Sequence, residues 1–426
     1  MGLALICFGI FLFLLIFAVP LGHAMAAAGI IVMAVDGIDA VGAVQRIFAG
    51  INSISLIAVP FFILSGLLME GGNISKGIVD FARAFFGHIR GGLGHVCVVS
   101  CMIFAAVSGS AMATALAFSN LLAPAMKEDG YETEFIAGLQ ACGGTLGPII
   151  PPSILMIMYS SYAGISVASL FMSGIIPGLM MGVGLMICCY RYAKRRNIPL
   201  LPKITGKERM KIVGKSIWAL LMPVIIIGGT MAGFCSPSEA GMVACLYGLV
   251  VGMFVYKGLR FRDLPKLFAR AAITSSTVLI LMGLANLMGY MLARLNFASI
   301  IADFFSSFTD SAILVFLIIV VFLLLLGMVM ESNAATVIFA PVLYPIANAF
   351  GINPIQFGLV VVICECIAQI TPPVGALLSA TASIQGVPLQ ATIKHVIPML
   401  VAQCIVLLLV VFIPPLSTWL PTFLLG

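Results

Sequence analysis

The run GGTLGPIIPPS, Gly143 to Ser153, decides how this 426-residue chain folds. Pro148, Pro151 and Pro152 each remove a backbone donor and clash with the preceding helical turn, while the glycines admit backbone angles that other residues avoid. A helix entering from Phe135 must break here, and apolar sequence resumes through Tyr162. Such a break sits at membrane depth, where unpaired amides and carbonyls persist only if they are buried in protein or line a polar cavity. That is the pattern of a discontinuous helix in a transporter.

The pattern occurs twice. AQITPPVG, Ala368 to Gly375, interrupts a second apolar run with a polar segment and paired prolines. Ahead of the first break lies AVSGSAMATALAFSNLLAPAM (Ala106 to Met126), and ahead of the second VMESNAATVIFAPVLYPIA (Val329 to Ala347). Pro124 to Pro151 and Pro345 to Pro372 are both 27 residues, and IVDF at Ile78 is echoed by IADF at Ile301. Apolar bias alone does not match small-polar clusters followed by matched prolines, so the two halves read as copies.

Composition sets the class. The chain is 62% apolar and 8% charged, against roughly 25% charged in a soluble domain; it reads as an all-α polytopic membrane protein. The eleven cysteines are an odd number spread through apolar runs, and the four histidines are scattered, so no disulfide framework or transition-metal site is expected. The amino terminus lacks the basic leader of a signal peptide, which makes Leu3 to Val19 a retained span.

Charge orients the spans. Between Arg191 and Lys215 there are nine Lys or Arg and one acid, Glu208. Such a patch resembles a nucleic-acid site, but a short loop between spans obeys the positive-inside rule, so it reads as cytoplasmic and no nucleic acid is expected. Parity then puts 19 of the 21 basic residues inside, with Arg46 and Arg294 outside and both termini periplasmic. Lys257, Arg260, Arg262, Lys266 and Arg270 fall in a second cytoplasmic loop ahead of a span from Ala272 to Ala293.

The SGS cluster (Ser108, Gly109, Ser110) and the ESNAAT cluster (Glu331 to Thr336) fit the tips of re-entrant hairpins, the first entering from the cytoplasm and the second from outside. The halves then form an inverted repeat with two re-entrant hairpins and two discontinuous helices, an architecture that serves alternating access. Residues 93–190 and 311–426 would be the moving transport part; 1–92 and 191–310 would be the scaffold. Amino-terminal ends of half-helices suit a carboxylate, and neutral Ser, Thr and Asn oxygens suit Na+. Glu365 is the one acid inside an apolar run, with Gly144 at the matching place in the first half. It serves proton coupling or a structural hydrogen bond; Glu331 orients its tip or coordinates an ion.

SGSAMAT, GGTLGPIIPPS, ESNAAT and QITPPVG, in this order and spacing, resemble the large membrane subunit of tripartite ATP-independent periplasmic (TRAP) transporters, the DctM-like family, from about Leu12 to Pro414. The resemblance implies a permease of the bacterial inner membrane that imports organic acids, such as C4-dicarboxylates or sialic acids, on a Na+ gradient without a further cofactor. It also implies a small four-helix membrane subunit, expected as a separate chain because no such block precedes Met1, and a periplasmic substrate-binding protein. The fold would be similar to the elevator-type divalent-anion/Na+ symporters, with a scaffold and a moving transport part. Carried onto this chain, Ser108, Gly109, Ser110 and Thr114 with Thr145, Gly147 and Pro148 match one ion-binding half. Ser332, Asn333 and Thr336 with Gln369, Thr371, Pro372 and Gly375 match the other.

Three rivals are weaker. A channel needs a continuous polar pore, and an ATP-driven pump needs a phosphate loop of the GxxxxGK[ST] type that this chain lacks. A stand-alone Na+/dicarboxylate symporter uses the same physics and would be distinguished by the absence of a co-purifying small subunit. The chain reads as a transporter and not as an enzyme.

Overall fold

The computed structural model describes residues 2–200 and 202–425, and every regular element among them is helical. The chain opens with α1 (Gly2–Ile16) and α2 (Leu21–Val35), which pack together, and α3 (Ala40–Ile51), an amphipathic helix capped by the Asp39 carboxylate. Two runs of elements then follow in the same order. The first comprises α4 (Ala58–Gly71), the amphipathic α5 (Ile74–Phe86), a hairpin of α6 (Gly92–Ser108) and α7 (Ala111–Glu128), a broken helix of α8 (Thr133–Gly144) and α9 (Ile154–Ala163), and the long α10 (Val167–Arg196). After α11 (Gly206–Met231) and α12 (Pro237–Val250), the second run repeats the order: α13 (Leu264–Arg294), the amphipathic α14 (Phe297–Ser306), a hairpin of α15 (Ala312–Gly327) and α16 (Ser332–Ala349), a broken helix of α17 (Pro354–Ala368) and α18 (Ala376–Gln385), and α19 (Leu389–Phe412). The last helix, α20 (Pro415–Leu425), returns to α10.

Six helical stretches are long and apolar enough to cross a bilayer: Ile54–Gly71, Val167–Arg196, Gly206–Met231, Pro237–Val255, Phe261–Arg294 and Leu389–Phe412. This is a multi-pass membrane protein. The halves of the broken helices are shorter. At 1.5 Å per residue the ten residues of α9 reach only about 15 Å, half of a hydrocarbon core about 30 Å thick, so its amino end stops inside the protein. The same holds for the ten residues of α18.

Each hairpin is pinned by one aromatic pair. Phe104 and Phe118 meet edge-on at 5.4 Å across the first, and Phe322 and Phe339 meet edge-on at 5.4 Å across the second. Such pairs contribute about 0.5–1.5 kcal/mol beyond their area burial, and each ties one arm of its hairpin to the other. Behind the tips the core is dense: Tyr159, Phe104, Phe118, Phe135 and Phe357 are among the largest fully buried side chains.

Two expected loops are shorter than their charge patterns suggest. The basic stretch from Arg191 to Lys215 is mostly helical, since α10 runs on to Arg196 and α11 starts at Gly206; of its nine cations only Lys203 lies in the connection. Likewise α13 begins at Leu264 rather than Ala272, so Lys266 and Arg270 are helical residues and not loop residues. Gly143 and Gly144 still belong to α8, and the first break runs from Thr145 to Ser153. Met1, Leu201 and Gly426, which fall inside the expected scaffold and transport parts, lie outside the described residues.

Candidate functional site

The first tip is built by three residues. α6 ends at Ser108, Gly109 turns the chain in the left-handed region at φ +60°, and Ser110 caps α7 by accepting from the Ala113 amide at 3.4 Å. A Cβ on Gly109 would lie 2.7 Å from the Pro152 carbonyl, so glycine is required both by the turn and by the close approach of the first break. The Thr114 hydroxyl donates to the Ser110 carbonyl at 2.8 Å, leaving the Ser108 hydroxyl to donate to Thr114 at 2.9 Å. The break presses on the same tip: a Cβ on Gly147 would stand 2.5 Å from the Ser110 carbonyl and 2.8 Å from the Thr114 hydroxyl.

The second tip is built differently. α15 stops at Gly327, and Glu331 caps α16 by accepting from the Ala334 amide at 3.2 Å while its other oxygen accepts from the Asn333 amide group. The Ser332 hydroxyl donates to the Glu365 carbonyl at 3.2 Å and accepts from the Gln369 side-chain amide. The second break runs from Gln369 to Gly375, which sits at φ +41° with the carbonyls of Gln369 and Thr371 3.1 and 3.2 Å from where its Cβ would be. The Thr371 hydroxyl is committed to the Ile367 carbonyl at 2.7 Å.

Both tips and both breaks meet at one cavity of about 240 Å³. Ser108, Gly109 and Ser110 line it from the first tip, Glu331, Ser332 and Asn333 from the second, with Pro148 and Gln369 from the breaks. Ala111, Ile154, Ser332 and Ala376, the first residues of α7, α9, α16 and α18, all face it as well, so four helix amino-termini converge on one space. Each brings partial positive charge, but part of their amides is committed: Ile154 to the Gly109 carbonyl, Leu377 and Leu378 to the Gln369 carbonyl, and Ala334 to the Glu331 carboxylate, whose charge offsets that of α16. The far wall is α4 and α13, contributing Gly66, Glu70, Arg270 and Thr274 among others. Among the described residues neither Glu70 nor Arg270 is ion-paired.

Not every expected site residue reaches this cavity. Thr114 and Gly147 lie in the seam behind the first tip, and Thr371, Pro372 and Gly375 belong to the second break without lining the space. Thr145 is turned away, donating to the Cys142 carbonyl at 2.7 Å and accepting from Gln403 of α19 at 2.8 Å. Thr336 opens on a separate cavity of about 80 Å³ shared with Ser53, Ser161 and Asn286, and its buried hydroxyl has no partner. Glu365 is fully buried beside Gly327, neither carboxylate oxygen has a partner, and it does not line the main cavity.

A family model described as tripartite ATP-independent periplasmic transporter, DctM component, matches residues 8–416. The chain belongs to this family. A TRAP transporter large permease protein of Haemophilus influenzae is 38% identical over 94% of this DctM component and 95% of its own length. The C4-dicarboxylate TRAP large permease DctM of Pseudomonas aeruginosa is 37% identical over 89% of each chain. The sialic acid TRAP permease SiaT of Haemophilus influenzae is 34% identical over 97% of this chain and 68% of its own length. Among solved structures the YdaH transporter of Alcanivorax borkumensis superposes with a TM-score of 0.60 at 16% identity over 88% of both chains, which shows a shared fold alone. The DctM component is thus a transporter permease and not an enzyme.

Arg270, Glu70 and Thr274 are the cavity residues that sequence reading passed over. The apolar run of α13 starts just after Arg270, which put that arginine in a loop. The signal that could have found it is RDLP: Asp263 followed by Pro265 in the first turn marks a helix start. Arg270 is six positions after Leu264, which places its backbone about 9 Å along the helix.

Proposed function

We propose that this TRAP large permease moves small organic anions of the C4-dicarboxylate or sialic-acid kind across the bacterial inner membrane, driven by Na+. The observation that carries this reading is the convergence of four helix amino-termini and Arg270 on one cavity. A carboxylate there accepts from the amides left uncommitted at the helix ends and pairs with a guanidinium, both favourable arrangements for an anion. The names of the C4-dicarboxylate and sialic acid relatives agree with this chemistry.

Na+ enters as cargo. The Ser108 and Ser110 oxygens at one tip, and Ser332, the Asn333 and Gln369 carboxamide oxygens and the Thr371 carbonyl at the other, are neutral hard ligands of the kind Na+ accepts. Thr145, Gly147 and Pro148 shape the first half, and Thr336, Pro372 and Gly375 the second. The cavity lies on the seam between residues 93–190 with 311–426 and residues 1–92 with 191–310, where an elevator of inverted halves would carry substrate past its scaffold. A small four-helix membrane subunit and a periplasmic binding protein complete the system, with both termini of this chain on the periplasmic side.

The test is uptake in proteoliposomes. The large and small subunits are reconstituted, and binding protein loaded with labelled succinate or sialic acid is supplied outside. Accumulation that requires an inward Na+ gradient and the binding protein is expected. Accumulation driven equally by K+, or without binding protein, would replace this reading with a stand-alone or differently coupled carrier.

A further inference from the structure

Away from the tips, an apolar groove of about 1130 Å³ runs between α10 and α19. Leu179, Val183 and Ile187 on one side and Val401 and Ile405 on the other stand about half exposed along its walls. At its floor the two helices approach closely: a Cβ on Gly184 would lie 3.3 Å from the Ala402 Cβ. The helices enter from opposite directions, so the end of α10 and the start of α19 lie together, and there Arg191, Arg195, Arg196 and Lys394 gather at the mouth. Arg196 is engaged by Glu132, which also contacts His395 at 3.2 Å. Among the described residues Arg191, Arg195 and Lys394 have no ion-pair partner.

The dimensions suit one class of molecule. The apolar wall on α10 runs from Cys188 back to Ile176, twelve residues or about 18 Å of helix, and half of a bilayer core is about 15 Å. The apolar channel is thus about as long as one leaflet is deep, with the cations gathered at one end of it. We infer that this groove binds an anionic phospholipid, its phosphate on Arg191, Arg195 and Lys394 and an acyl chain along Val183, Ile187, Val401 and Ile405. A transmembrane helix of another protein fits less well. Helix pairs in bilayers approach through small residues, but the small residues here, Gly184 and Ala402, already face each other on the floor and the outward positions are bulky. Three unpaired cations at one end have no use for an apolar helix, whereas they complement a phosphate.

The test is native mass spectrometry of the purified chain after exchange into mixed phosphatidylglycerol and phosphatidylethanolamine. The parent protein should retain phosphatidylglycerol preferentially, and each of Arg191→Gln, Arg195→Gln and Lys394→Gln should lower that preference about fivefold. Val183→Trp, which leaves every charge in place, should expel the lipid by filling the channel. Equal retention of the two lipids by the parent, or an unchanged preference in the triple glutamine variant, would overturn the assignment. A photoreactive residue at position 183, used in native membranes, should label lipid; labelling of a protein instead would make the groove a subunit interface and sink the lipid reading.

Discussion

The side-chain amide of Gln403 donates to the Thr145 hydroxyl at 2.8 Å, joining α19 to the first helix break across 258 residues of chain. The same amide donates to the Cys142 carbonyl at 3.1 Å, the kind of orphan acceptor a helix leaves at its carboxy end. Gln403 is fully buried, so water cannot replace it. Gln403→Leu removes both bonds, but the Thr145 hydroxyl still donates to the Cys142 carbonyl at 2.7 Å, so the cost should be about 1–3 kcal/mol in all. A fall in the thermal unfolding midpoint of the purified protein is the expected readout, with an unchanged midpoint showing that the break holds itself.

Arg270 supplies a second prediction. If its guanidinium pairs with the substrate carboxylate, Arg270→Gln removes a charge-assisted contact worth about 1.5–3 kcal/mol. The KM for anion uptake should rise about 10- to 150-fold, while the unfolding midpoint holds because Arg270 is exposed to the cavity and has no ion pair. An unchanged KM would leave anion binding to the helix ends alone.

How much of this was legible in the sequence follows from which signals are local. Proline and glycine act on their own few residues, so Pro148, Pro151, Pro152 and Pro372 mark the breaks, and small-polar clusters inside apolar arms mark Ser108 to Ser110 and Glu331 to Asn333 as turns. Convergence is not local. Nothing in the sequence near Ile154 or Ala376 says that their helices start at the same cavity, and a single glutamine such as Gln403 in an apolar helix carries no trace of a partner far away in the chain. Arg270 was hidden for another reason: an apolar window measures where hydrocarbon begins, and α13 starts two turns earlier, in the polar layer.

Close packing of the first break on its tip gives a third prediction. Gly147→Ala would place a methyl group 2.5 Å from the Ser110 carbonyl, a backbone atom that cannot yield cheaply. Overpacking of this kind costs about 1–3 kcal/mol and should displace the tip, so uptake should collapse while the protein still reaches the membrane. Gly228→Ala on α11 meets nothing within 4 Å and should leave both uptake and midpoint within experimental error. Equal effects of the two substitutions would mean that the tip-to-break contact has no part in transport.

The central claim is that neutral oxygens at the tips couple transport to Na+, and the most direct measurement is the initial uptake rate in proteoliposomes as a function of Na+ for Asn333→Ala. Asn333 faces the cavity with its amide nitrogen donated to Glu331, which leaves the carboxamide oxygen for an ion. Loss of one such ligand, costing on the order of 1–3 kcal/mol, should raise the half-saturating Na+ concentration roughly 5- to 150-fold without loss of folded protein. Glu365→Gln, measured beside it over a range of pH, should keep the parental Na+ dependence. The contradicting result is the reverse pairing: Asn333→Ala with the parental Na+ curve, and Glu365→Gln without a pH dependence that the parent shows, which would move coupling to the buried carboxylate.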